Sequence, residues 1–65
     1  MYISRDKSGN ILLSVSEPKR LTSYWLPIDN KYMVVNSKFG EILFPNLKWQ
    51  DEPIEITITL NNLIF

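Results

Sequence analysis

Met1-Tyr2-Ile3-Ser4-Arg5-Asp6-Lys7-Ser8-Gly9-Asn10-Ile11-Leu12-Leu13-Ser14-Val15-Ser16 reads as a β-hairpin and sets the fold class of the chain. Met1 to Arg5 forms one arm, Asn10 to Ser16 the other, and Asp6-Lys7-Ser8-Gly9 joins them. An Asp at the first turn position accepts backbone N–H bonds, and Gly9 takes the left-handed conformation of a type I turn with a bulge. Ile11, Leu13 and Val15 fall on one face of the second arm, with Ser14 and Ser16 on the other. Leu12 interrupts the alternation, so this arm is expected to be partly covered on both sides.

The far end carries the strongest periodicity. From Pro53 to Asn61, residues Ile54, Ile56, Ile58 and Leu60 alternate with Glu55, Thr57 and Thr59. Period-two alternation in β-branched residues predicts a half-buried strand with the Ile/Leu set on the core. Between the two ends, Ser16 to Leu21 reads as a loop because Pro18 has no N–H to offer a ladder. A third strand is predicted over Thr22 to Ile28, limited by Pro27 to an edge position or an early end. Asp29-Asn30 makes a two-residue turn, since both tolerate positive φ, and Lys31 to Asn36 follows as a fourth strand. Ser37-Lys38-Phe39-Gly40 reads as a turn, and Glu41 to Phe44 as a short strand or one helical turn.

The expectation is therefore one domain over residues 1–65, all-β: an antiparallel meander of four to five short strands, in a small barrel or a strongly twisted sheet. The alternative is α+β, with a short helix near 37–44. The absence of alanine, the best helix former, weighs against a helical bundle.

Composition narrows the chemistry. A hydrophobic fraction of 45% with 22% charged residues suits a folded chain rather than a disordered one. Seven Lys plus Arg balance seven Asp plus Glu, which argues against a globally basic nucleic-acid binder. The chain has no Cys and no His, removing the thiolate nucleophile, the commonest general base and the commonest transition-metal ligands. Gly9 and Gly40 are explained by turns and form no phosphate-binding loop. Asp51, Glu52 and Glu55 are the only carboxylate cluster; with no third polar group to orient them, they read as a solvated turn before the last strand. The expectation is a protein that is not an enzyme, with no catalytic residues, no metal site and no cofactor. The N-terminus breaks into charge before an apolar core develops, and no apolar run approaches the roughly 20 residues needed to cross a bilayer. A cytoplasmic protein with no membrane partner is expected.

One stretch stands out as a candidate binding surface: Lys19, Arg20, Tyr24, Trp25, Lys31 and Tyr32. Residues 1–38 hold six basic and three acidic side chains, and residues 39–65 hold one basic and four acidic, so the halves carry +3 and −3. Aromatics interleaved with cations on a small sheet are how oligonucleotide-binding barrels stack bases and follow phosphates. The plainer reading is that Trp25 and one tyrosine belong to the core and the cations keep the surface soluble. Tyr24 and Trp25, being adjacent in a strand, point to opposite faces, which puts at least one of them outside the core.

The segment Met1-Tyr2-Ile3-Ser4-Arg5-Asp6-Lys7-Ser8-Gly9, taken with Phe44-Pro45-Asn46-Leu47-Lys48-Trp49-Gln50-Asp51-Glu52-Pro53 and the alternating strand after it, resembles a group of small proteins of phages, prophages and gut bacteria. These open like MYIARDKDG and close like LFPEVTWEDEP before a terminal strand. The resemblance covers about the first fifteen and the last twenty residues. It implies a phage or mobile-element setting and implies no activity. Asn61 to Phe65 extends beyond the group's usual end.

Two functional readings follow. The first is a small protein-interaction module, presenting a sheet edge or an aromatic patch to a protein partner. The second is a small barrel binding single-stranded nucleic acid through the basic-aromatic face. Leu63-Ile64-Phe65 must find cover, over one end of the sheet or against a second copy, and a homodimer is expected on that ground.

Overall fold

The computed structural model describes residues 1–57. It contains six strands and one helix: β1 Tyr2–Arg5, β2 Ile11–Ser14, β3 Pro18–Arg20, β4 Trp25–Pro27, β5 Tyr32–Val35, α1 Ser37–Leu43 and β6 Ile54–Glu55. Four strands form an antiparallel sheet in the order β5-β2-β1-β6, and β3 and β4 form a separate two-stranded ribbon. The fold is mostly antiparallel strand with one short helix, which is the α+β arrangement foreseen for residues 37–44. Among the described residues the sheet is open, with β5 and β6 as its two edges and no closure into a barrel.

The N-terminal hairpin forms as its sequence dictates. Tyr2 pairs with Ser14 and Arg5 with Ile11. The Asp6 carboxylate accepts the backbone N–H groups of Ser8 and Asn10, each at 2.9 Å, and Gly9 stands at φ 99°. Because directly opposed residues share a face of a sheet, the registers sort the side chains into rows. Ile54, Ile3, Leu13 and Met33 form one row across all four strands, with Arg5, Ile11 and Val35 beside it on the same face. Glu55, Tyr2, Ser14 and Tyr32 form a row on the second face, next to Ser4, Leu12 and Val34.

The first face carries the core, where Ile3, Ile11 and Leu47 are buried together with Leu13, Val35, Phe44 and Ile56 against them. Helix α1 lies on this face. The Asn36 side chain accepts the Phe39 N–H at 3.1 Å as an N-cap, which is why Ser37-Lys38-Phe39-Gly40 is a helical turn and not the loop turn expected of it. Gly40 touches the sheet so closely that a Cβ there would stand 2.7 Å from Ile11 Cγ1. A glycine in the middle of a helix is unfavourable by propensity, and this close approach is what requires it.

Three features of the middle segment correct the expected meander. Pro18–Arg20 is a strand and not a loop, because Pro18 opens it opposite Pro27, where a two-stranded ribbon asks for no further N–H. The third strand is shorter than predicted, Trp25–Pro27, since residues 21–24 form the ribbon's turn with Leu21 N–H on the Tyr24 carbonyl at 2.8 Å. A turn does form at Asp29-Asn30, with Asn30 at φ 57° and its N–H on the Pro27 carbonyl at 3.0 Å. The strands on either side of it do not pair. Strand β4 is used by β3, and β5 returns to the outer side of β2, whose apolar residues need neighbours on both sides. Of the predicted strand from Pro53 to Asn61, Ile54–Glu55 pairs with β1, and Ile54 is half-exposed instead of core. Residues 58–65, including the Leu63-Ile64-Phe65 tail, lie outside the described residues.

Candidate binding edge

The site depends on how the two sheets and the helix are fastened, and one residue does most of that. Arg5 sits on the core face of β1 and is buried. Its Nε donates to the Leu47 carbonyl, Nη1 to Gly9 O at 2.7 Å, and Nη2 to Gly40 O at 3.1 Å and Phe44 O at 2.8 Å. Gly40 and Phe44 lie in the last turn and at the C-cap of α1, where the negative end of the helix dipole suits a cation, and each carbonyl accepts Arg5 in addition to a backbone N–H, from Phe44 and Leu47 respectively. Glu41 adds a distant carboxylate, 3.6 Å from Nη1. The rigid guanidinium fork thus joins the hairpin turn, the helix and the segment after it. On the other side, the indole N–H of Trp25 donates to the Arg5 carbonyl at 2.9 Å, fixing the β3–β4 ribbon on the sheet.

The six residues of the basic-aromatic stretch then separate. Arg20 lies against both indoles, its guanidinium carbon 4.7 Å from the ring centre of Trp25 and 5.0 Å from that of Trp49. Its Nη2 donates to the carbonyls of Trp49 and Asp51 at 3.0 and 3.1 Å. The two indoles meet edge to face at 5.9 Å. Arg20 is therefore a clasp between the ribbon and the segment before β6. Trp25 is 3% exposed, while Tyr24 beside it, in the turn that precedes β4, is 48% exposed, so one of the two aromatics lies outside the core. Tyr24, Trp25 and Tyr32 do come together, lining a cavity of about 230 Å³ with Asp6, Leu12 and Val34. Lys19 borders a different cavity, beside Leu26 and Ile28, and Lys31 a third, beside Met1 and Met33. The structure brings the aromatics together, turns Arg20 onto the indoles, and leaves Lys19 and Lys31 on other cavities.

The tyrosine cavity opens beside β5, which sequence reasoning named only through Tyr32. Strand β5 has no neighbour on its outer side among the described residues. Tyr32, Met33 and Val34 are 50%, 65% and 53% exposed. Tyr32 and Val34 project on the ribbon side and Met33 on the helix side. No charge or proline interrupts the strand. The signal available in the sequence was an apolar run with no alternation, Tyr32-Met33-Val34-Val35, which marks a strand apolar on both faces. The turn leading into β5 is held firmly: the Asp29 carboxylate accepts the Lys31 N–H at 3.0 Å and the Ser16 hydroxyl at 2.8 Å. Those bonds, the backbone one first, hold the Asp29 carboxyl below its ordinary pKa. The opposite edge is β6, only two residues long, preceded by Pro53 and carrying Glu55. Short length, proline and charge are how proteins blunt an edge; within its four residues β5 carries neither proline nor charge, and its one flanking charge is Lys31 at the entry.

Comparison of the chain with protein-family models, with curated proteins and with solved structures finds no match. The site must be read from its own geometry. Asp51 Oδ2 accepts the Lys48 N–H at 2.8 Å, which makes the acidic stretch a local turn. Among the described residues, no three His, Cys, Asp or Glu side chains gather closely enough to hold a metal ion, and no helix is long and apolar enough to cross a membrane. A second open apolar stripe lies on α1, at Phe39, Ile42 and Leu43.

Proposed function

We propose that this protein is a non-enzymatic protein-interaction module that takes an extended segment of a protein partner onto the open edge of β5. The observation that carries the reading is the strand itself: four residues, unpaired on one side among the described residues, apolar on both faces, beside a tyrosine-lined cavity. An incoming strand gains main-chain hydrogen bonds along such an edge, and its alternate side chains reach the two faces. Tyr24 and Tyr32 supply broad, rigid contact area with a polar tip, and Asp29 fixes the turn that leads into the edge. The resemblance to small phage and prophage proteins suggests a mobile-element setting, and a cysteine-free chain suits a reducing compartment such as the cytoplasm.

The alternative, single-stranded nucleic acid on Lys19, Arg20, Tyr24, Trp25, Lys31 and Tyr32, draws on the same tyrosines. It has less to work with, because Arg20 is engaged by two indoles and Trp25 is buried. Titrating the labelled domain with a synthetic peptide Lys-Tyr-Met-Val-Val-Asn, and separately with a thymidine oligonucleotide at roughly 50 mM salt, separates the two, since phosphate-driven binding is strongest at low salt. The peptide is expected to move the amide resonances of Tyr32 to Val35 and the oligonucleotide none. Oligonucleotide binding that fades steeply with added salt, with no response to the peptide, would replace the first reading by the second.

A further inference from the structure

We propose that the strand completing the β5 edge belongs to a second copy of this chain, paired antiparallel about a two-fold axis with Met33 opposite Met33. The inference rests on the reading of β5 as the working edge and names its partner.

The register follows from which residues share a face. A two-fold axis perpendicular to the sheet joins two edges antiparallel and keeps each face on its own side, so one residue must oppose its own copy. Centring on Tyr32 would draw in Asn30, which is left-handed at φ 57° and whose N–H is held by Pro27 O. Centring on Val34 would draw in Asn36, whose carbonyl accepts the Gly40 N–H and whose side chain caps α1. Centring on Met33 uses only residues 31–35, all outside the left-handed region, and of these only the outermost, Lys31, has its N–H held elsewhere, by Asp29. This register sets Tyr32 of each copy against Val34 of the other, an aromatic and β-branched pair of the kind that stabilises antiparallel ladders.

The charges fit as well. Lys31 falls opposite Val35, and the two Lys31 positions lie about four residues apart along the ladder, roughly 14 Å at strand rise, beyond the ~8 Å screening length of physiological salt. The net charge of zero leaves no self-repulsion to oppose association. The product is a continuous eight-stranded sheet. The paired Met33 side chains extend the row that begins at Leu13 and Ile3, and the two tyrosine cavities adjoin on the opposite face.

The chain has no cysteine, so single-cysteine variants report the register cleanly. Directly opposed Cα atoms in an antiparallel pair stand about 4.5–5.5 Å apart, within disulfide range. Under mild oxidation with oxidised glutathione, Met33→Cys should form a disulfide-linked dimer at least tenfold faster than Val34→Cys or Lys31→Cys. The wild-type full chain should sediment at twice its 7.6 kDa mass. Met33→Lys, at a side chain that is mostly exposed, should sediment at the single mass with an unchanged circular dichroism spectrum. Equal crosslinking at the three positions, or a wild type that stays monomeric up to about 1 mM, would overturn the inference. A monomer whose β5 amides still respond to the strand peptide would overturn the self-pairing alone. A monomer with no such response would remove the edge reading too.

Discussion

Arg5→Met is expected to leave the domain unfolded at room temperature, with collapsed amide dispersion and no cooperative melt. The methionine matches the volume of the stem but supplies no donor to the carbonyls of Leu47, Gly9, Gly40 and Phe44. A buried carbonyl left unpaired costs about 1–3 kcal/mol. The whole stability of a chain this size is about 3–10 kcal/mol at the usual per-residue value. Gly40 O keeps the Phe44 N–H and Phe44 O keeps the Leu47 N–H. The change therefore strips Leu47 O and Gly9 O of their donor and removes a charge-assisted bond from the other two, a loss comparable with much of what the fold has. Arg5→Lys should rescue little, because an ammonium offers its donors from one point and cannot span carbonyls on three segments. If Arg5→Met melts within about 5 °C of the wild type, a shift worth roughly 1 kcal/mol at this length, water must reach those carbonyls and Arg5 is not the fastener described above.

Trp25→Ala should be the next most damaging change, lowering stability by about 3–5 kcal/mol in urea denaturation, as for other buried aromatic truncations. Three losses coincide at that position. The indole leaves a cavity beneath the ribbon, its N–H no longer meets the Arg5 carbonyl, and Arg20 loses one of its two aromatic partners. Tyr24→Ala, one residue away and half-exposed, should cost less than about 1 kcal/mol. Similar midpoints for the two variants would mean that the ribbon is not docked through Trp25.

That one of these neighbours lies outside the core was expected from strand alternation, but the physical reason differs, since Tyr24 sits in the turn before β4 and only Trp25 is in the strand. The N-terminal hairpin was legible in the sequence, where Asp6 and Gly9 specify the turn and the register follows. Local chemistry of this kind is written in contiguous residues. The pairing of β5 with β2 was not legible, since Asp29-Asn30 has the composition of a tight hairpin turn and forms a turn without joining the strands it separates. What decides the outcome is the long-range demand of β2 for a second neighbour. Helix α1 was open to reading from Asn36, a good N-cap residue, but Gly40 in its middle argued for a turn; only the closeness of Ile11 explains the glycine. Arg5 shares its face with Ile3 by simple alternation. A cation on a core face is a signal that it meets several carbonyls, although the carbonyls themselves come from segments far along the chain. Arg20 was noticed for its charge and sequence neighbours, and its actual partners, Trp49 and Asp51, lie about thirty residues away.

The claim that β5 is the edge at which this chain meets another is tested most directly by amide hydrogen exchange, read residue by residue. The chain would be compared dilute, dilute with the Lys-Tyr-Met-Val-Val-Asn peptide, and concentrated. Exchange between Tyr32 and Val35 should slow at least tenfold both with the peptide and at high concentration, while the amides of Phe39, Ile42 and Leu43 on α1 keep their rates. Protection that appears on the α1 stripe or along β3 and β4, with β5 exchanging as fast as in the dilute chain, would contradict the account.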